Sequence, residues 1–204
     1  MVSIPPARVL KSLISAALML VFIADGARAQ SEAFKKSWEK FDYAAQRLRR
    51  EQLKGLSLED LKLMRGIVFG RHGRIFKDWD IGLYLKDQPW YKPDPEFNNS
   101  RLNETERGNL DLIREFEAKL HKTIEPGDMR WWQTRRIYPK NLGAHTGAEW
   151  RILRAEIEAI HGKRFPDQPW LQTYFEERYW YRPTDSYDPR QLTETERRNM
   201  TAID

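Results

Sequence analysis

LKLMRGIVFGRHGRIF, residues Leu61 to Phe76, and WRILRAEIEAIHGKRF, residues Trp150 to Phe165, are one segment written twice. Arg65, His72, Gly73 and Phe76 in the first are answered by Arg154, His161, Gly162 and Phe165 in the second. Outward from each lies a second shared block. Tyr84, Trp90, Tyr91, Pro93, Leu102, Glu104, Glu106, Arg107, Asn109 and Ile113 recur 90 positions later as Tyr174, Trp180, Tyr181, Pro183, Leu192, Glu194, Glu196, Arg197, Asn199 and Ile203. A chain that repeats itself is read as copies of one unit before anything else is inferred.

Each copy opens on a helix signal. Ser57 with Asp60, and Thr146 with Glu149, stand in capping-box register, so that a side-chain oxygen meets a free helical N–H. Leu61, Met64 and Val68 then fall on one helical face, as do Trp150, Leu153 and Ile157. His-Gly ends both helices, because glycine enters the left-handed conformation without a Cβ clash. Phe76 and Phe165 are placed to fold back on the last turn. Asp-rich and Pro-rich chain, expected to be irregular, leads to the W-Y-x-P blocks, and a further helix begins near Asn103 and near Thr193. No stretch alternates long enough to predict a strand.

Ahead of the copies, Arg8 and Lys11, the apolar run Leu13 to Ala24 and the triplet Ala27-Arg28-Ala29 read as a secretory signal peptide. The apolar run is shorter than the roughly 20 residues a membrane-spanning helix requires, so no stable transmembrane anchor is expected. Trp38, Phe41, Ala45 and Leu48 place an apolar stripe on an amphipathic helix over Ser31 to Leu53. There is no cysteine, which excludes disulfides, thiolate metal sites and lipidation at an N-terminal cysteine. Loss of Arg8, Lys11 and Arg28 against Asp25 takes the formal charge from +5 to +3, too mild for a nucleic-acid partner. The expected layout is signal peptide 1–29, helix 30–54, domain 55–124, a basic aromatic connector 125–143 and domain 144–204. The fold class is mostly α, with long ordered loops.

The string Phe69 to Gly73, the helix before it, the downstream W-Y-x-P and the E-R-x-N runs at Glu106–Asn109 and Glu196–Asn199 resemble the YARHG domain. That resemblance implies an extracytoplasmic helical module, often joined to envelope or signalling domains. Phe69 and Gly70 depart from the name-giving tyrosine and alanine, and the second copy, with Glu158, Ala159 and Ile160, loses both the tyrosine and the arginine.

For catalysis the candidates are His72 and His161, aided by Glu106 and Glu196, in an envelope hydrolase acting on glycan or peptide. A histidine at a helix C-terminus is explained as well by the helix dipole. Glu158 and His161 have di-iron i, i+3 spacing, but no second Glu-x-x-His follows, so neither metal nor cofactor is expected. Glu104 with Glu106, and Glu194 with Glu196, resemble glycosidase pairs only in spacing, since acids in a first helical turn are expected on dipole grounds. The favoured reading is a non-catalytic binding or interaction module, periplasmic or extracellular, for a cell-envelope polymer or envelope protein. Its expected binding residues are Arg71, His72, Trp90, Tyr91, Arg107, Asn109, His161, Trp180, Tyr181, Arg197 and Asn199. The connector, with Arg130, Trp131, Trp132, Arg135, Arg136 and Lys140, either adds to that surface or wedges between the domains. A structural spacer is the third reading.

Overall fold

The computed structural model describes residues 37–204; the expected signal peptide and the start of the expected first helix lie outside them. The described residues contain helices and no strand. Two units divide the chain at Phe41. The described part of the first is a helical turn in which the Trp38 and Phe41 rings lie 5.9 Å apart. The second, residues 42–204, contains both sequence copies.

The first copy runs α1 (Arg50–Leu53), α2 (Leu58–Gly70), α3 (Trp79–Lys86), a 3-10 turn (Asn99–Arg101) and α4 (Glu104–Leu120). The second repeats it: α5 (Met129–Trp132), a 3-10 turn (Pro139–Asn141), α6 (Gly147–Ala159), α7 (Pro169–Glu176), a 3-10 turn (Pro189–Gln191) and α8 (Glu194–Ile203). The four expected capping boxes all form, at Ser57, Asn103, Thr146 and Thr193, each worth about 1 kcal/mol. The apolar faces are buried as expected, with Leu61, Met64, Val68 and Leu153 fully so.

Gly73 and Gly162 have φ of +84° and +85°. At either, a Cβ would also lie 2.7 Å from a carbonyl oxygen, that of Lys92 or Arg182. The reason is a close crossing: the W-Y-x-P segment runs over the helix end, Asp94 N–H donating to Gly73 O and Thr184 N–H to Gly162 O. Tyr91 and Tyr181 pin the same crossing by donating to the Arg74 and Lys163 carbonyls.

Three expectations need correction. The segment read as irregular contains α3 and α7, eight residues each. Asp78 caps α3 and Pro169 starts α7, while Ile81 with Leu85 and Leu171 with Phe175 form one-turn apolar pairs. The helix expected through Leu53 breaks after residue 40, because the Asp42 carboxylate takes the Ala44 and Ala45 N–H groups and offers the chain a turn in place of a helical ladder.

The connector is not a linker but the opening strap of the second copy. In the first, buried Asn109 accepts from Leu48 N–H and donates to Tyr43 O and Gln46 O. In the second, Asn199 accepts from Ile137 N–H and donates to Trp132 O and Arg135 O. Each asparagine clasps a strap of the same shape. Removing either side chain, as Asn109→Ala or Asn199→Ala, strands these buried backbone groups and is expected to cost about 3 kcal/mol, read as a lower midpoint of urea unfolding.

Candidate functional site

The paired motifs converge in both copies. His72, past the end of α2, brings Nε2 to 2.6 Å from Glu106 Oε1; His161 brings Nε2 to 2.8 Å from Glu196 Oε1. Both glutamates are also the third residue of a capped helix, and their other oxygen accepts the Asn103 or Thr193 backbone N–H. One carboxylate thus ties the end of one helix to the start of another. Burial pushes the Glu196 carboxyl up, but the bonds from His161 and Thr193 outweigh it and hold the group below its ordinary range.

The other expected binding residues are placed less uniformly. Arg71 is exposed and its guanidinium lies over Trp90, 5.2 Å from the ring centre. Arg107 donates to the carbonyls of Leu102, Asn99 and Tyr179, and Arg197 donates to Leu192 O. Tyr91, Tyr181, Asn109 and Asn199 are engaged in the crossings and clasps already described. Trp180 leans on the second-copy core beside Phe175. These residues form no single cleft; most of their hydrogen bonds go to backbone carbonyls within the fold. Glu158 points away from His161, toward Arg154, Lys163 and Tyr187. Among the described residues no group of three His, Asp or Glu side chains could take a metal ion.

Open space lies at the junction of the copies. Tyr179 enters from the second copy, its ring 6.0 Å from Phe69 and its hydroxyl donating to Asp111; Arg130 pairs with the same aspartate. Beneath this contact is a buried ionic layer. Glu117, fully buried, takes Arg65 at 3.1 Å and Arg114 at 2.6 Å. Asp128 takes His121 at 2.7 Å and Arg114 at 3.4 Å. Burial works against the Arg114 charge, but Glu117 and Asp128 outweigh it and hold the guanidinium above its usual range. Glu156, also fully buried, accepts only the Gly127 N–H, at 2.7 Å. Burial pushes its carboxyl up to about 7.

Beside the junction a groove of about 590 Å³ runs between the copies. Phe76, Phe97 and Ile75 give it an apolar side, and Thr173, Glu176 and Arg178 form the opposite one. Arg74 lies over the Phe69, Phe76 and Phe97 rings at 4.7, 5.6 and 5.8 Å, and burial together with Arg178 lowers its pKa. Two groove atoms, Asn99 Oδ1 and Arg178 Nε, have no hydrogen-bond partner among the described residues. The groove was not foreseen from sequence. Its residues come from segments about 100 positions apart, and the only sequence signal was Phe97 with exposed Ile75 beside a cation.

Residues 36–118 and 127–204 match the YARHG domain, and the chain belongs to that family. Both matched segments include the straps. Domains of this family are in general non-catalytic and occur in extracytoplasmic proteins. No curated protein and no solved structure matches the chain. Among the described residues no helix is long and apolar enough to cross a membrane.

Two opposite pH effects follow from the buried acids. Glu196 and Glu117 have lowered folded-state pKa values, so their stabilisation is complete above the unfolded value and is lost as pH falls through the lowered one, below about pH 4. Glu156, whose pKa is raised to about 7, contributes below its unfolded value, and that contribution is lost as pH rises through about 7. Glu156→Gln keeps an acceptor for Gly127 and is expected to remove the alkaline decline in melting temperature while leaving the acid one.

Proposed function

We propose that this protein is a non-catalytic, exported binding module of the cell envelope that takes a peptide segment of a partner in the groove between its two copies. The observation carrying this reading is the groove's chemistry: an apolar side, cations at its edge, and an acceptor and a donor with unspent hydrogen-bonding capacity. A peptide needs all three. Its amide donates to an acceptor such as Asn99 Oδ1, its carbonyl accepts from a donor such as Arg178 Nε, and alternate side chains lie on Phe76 and Phe97. The volume is within the range of ordinary ligand sites. Membership of a family found in extracytoplasmic proteins supports the compartment, as does the signal-like N-terminus.

The duplication then serves to build the site, since neither copy contributes both sides. This differs from two weak sites acting through effective concentration, where each copy would bind alone. The His–Glu pairs, by the same reading, are joints. The carboxylate that would act as base already accepts a backbone N–H and a histidine, which favours a structural task over hydrolysis.

Binding is tested with the chain from Gln30 onward against a library of neutral, Leu- and Val-containing peptides. Ile75→Asp, at a position 55 % exposed, is expected to weaken the best of these roughly tenfold without moving the melting temperature. Undiminished binding by that variant would overturn the assignment to this groove. His72→Ala is expected to lower the melting temperature and leave the affinity of the remaining folded protein unchanged.

A further inference from the structure

The two copies differ most where their second helices approach the first. In copy one, α2 carries Gly66 and Gly70, and α3 closes directly onto it. The Ile81 and Leu85 side chains come within 2.8 and 2.6 Å of where Cβ atoms on those glycines would stand. In copy two the corresponding residues are Ala155 and Ala159. Two methyl groups occupy the space that the α3 side chains fill in copy one, and α7 makes fewer close approaches to α6 than α3 makes to α2. The gap is a pocket of about 370 Å³ between α6, α7 and the loop joining them, with Ala155, Phe165 and Leu171 as its floor.

Its rim is cationic. Arg151, Arg154, Lys163 and Arg164 line it, against Glu158 and Asp167. Glu158 is nearly buried and is committed to Arg154 at 3.3 Å, Lys163 at 2.9 Å and the Tyr187 hydroxyl at 2.9 Å. It serves as the post that orients two of the cations. The remaining acid partners are surface groups: Asp204 on Arg154 has a side chain 57 % exposed, and Asp185 on Arg164 one 92 % exposed. Exposed pairs of this kind contribute little and exchange readily, so a carboxylate arriving from outside can replace them. Guanidinium groups favour a carboxylate through two parallel hydrogen bonds. Phe165, 5 % exposed, presents an edge and not a face, which gives a sugar ring no platform.

We infer that this pocket is a second binding site, present in copy two alone, for an acidic peptide segment: a Glu or Asp side chain held by Arg154, Lys163 and Arg164, with a neighbouring apolar side chain on Phe165 and Leu171. The choice of a peptide as ligand rests on the function proposed above, but the residues are different from those of the junction groove.

The probe is a fluorescein-tagged hexapeptide of alternating glutamate and leucine, followed by anisotropy beside its glutamine isostere and the neutral peptide of the groove assay. The acidic peptide is expected to bind at least roughly tenfold tighter than the isostere and to weaken with salt. The exposed-residue double variant Arg151→Glu/Arg164→Glu should remove that preference, and Ala155→Leu, which fills the pocket, should weaken the acidic peptide alone. Ile75→Asp should leave it unchanged. Equal binding of acidic and isosteric peptides, or an acidic preference that survives the double variant, overturns the site. Displacement of the acidic peptide by inorganic phosphate at similar concentration assigns the pocket to free anions and overturns the peptide. Loss of the neutral-peptide arm alone counts against the junction groove, whereas loss of the acidic arm alone counts against this pocket.

Discussion

One buried carboxylate in each copy carries the geometry of everything around it. Glu106 or Glu196 sits in the first turn of its helix, where the helix dipole favours an anion. There it closes the capping box with one oxygen and receives the histidine with the other. A buried carboxylate is costly unless its acceptor sites are filled, and each of these has partners on both oxygens. Because the histidine is bound at the end of the preceding helix and followed by a glycine that the W-Y-x-P segment crosses, four separate sequence motifs meet within two turns of chain. The asparagine three residues after the glutamate extends the arrangement to the strap. His, Gly, Glu and Asn persist in both copies for this one mechanical reason, while the residues around them have changed.

That change is sharpest at one position. Phe69 in the first copy meets Phe76, Phe97 and Tyr179. Its counterpart Glu158 meets Arg154, Lys163 and Tyr187. A greasy docking face in one copy has become a charged post in the other, with the backbone unaltered. The copies therefore divide the labour: the first receives its neighbour, and the second turns its equivalent face to solvent and to the cationic pocket.

Much of this could be read before any coordinates. Capping pairs, the His-Gly stop and the three-then-four apolar spacing are local signals, and the structure has all of them. The eight-residue α3 and α7 were missed because two apolar residues one turn apart, within Asp and Pro, look like loop. The strap was misread for a deeper reason. Trp131, Trp132 and the arginines around them suggest a surface by composition, yet their place is set by Asn199, more than 60 positions away. The His–Glu contact spans a similar distance. Nothing in spacing announces it, although both residues were known to recur. The groove and the pocket are invisible for the same cause: they are made by packing, and one of them by two absent glycines.

The contact between the copies is head to tail, Tyr179 of the second against Phe69 of the first. Such an interface, used between identical units, has no natural end and builds fibres. Here both spare ends are blunted. The position of Tyr179 is taken in the first copy by Pro89, which lacks the ring and the hydroxyl, and the socket of Phe69 is taken in the second by Glu158. A gene that doubled this unit and then altered those two residues obtained a dimer in one chain that cannot polymerise by its own joint.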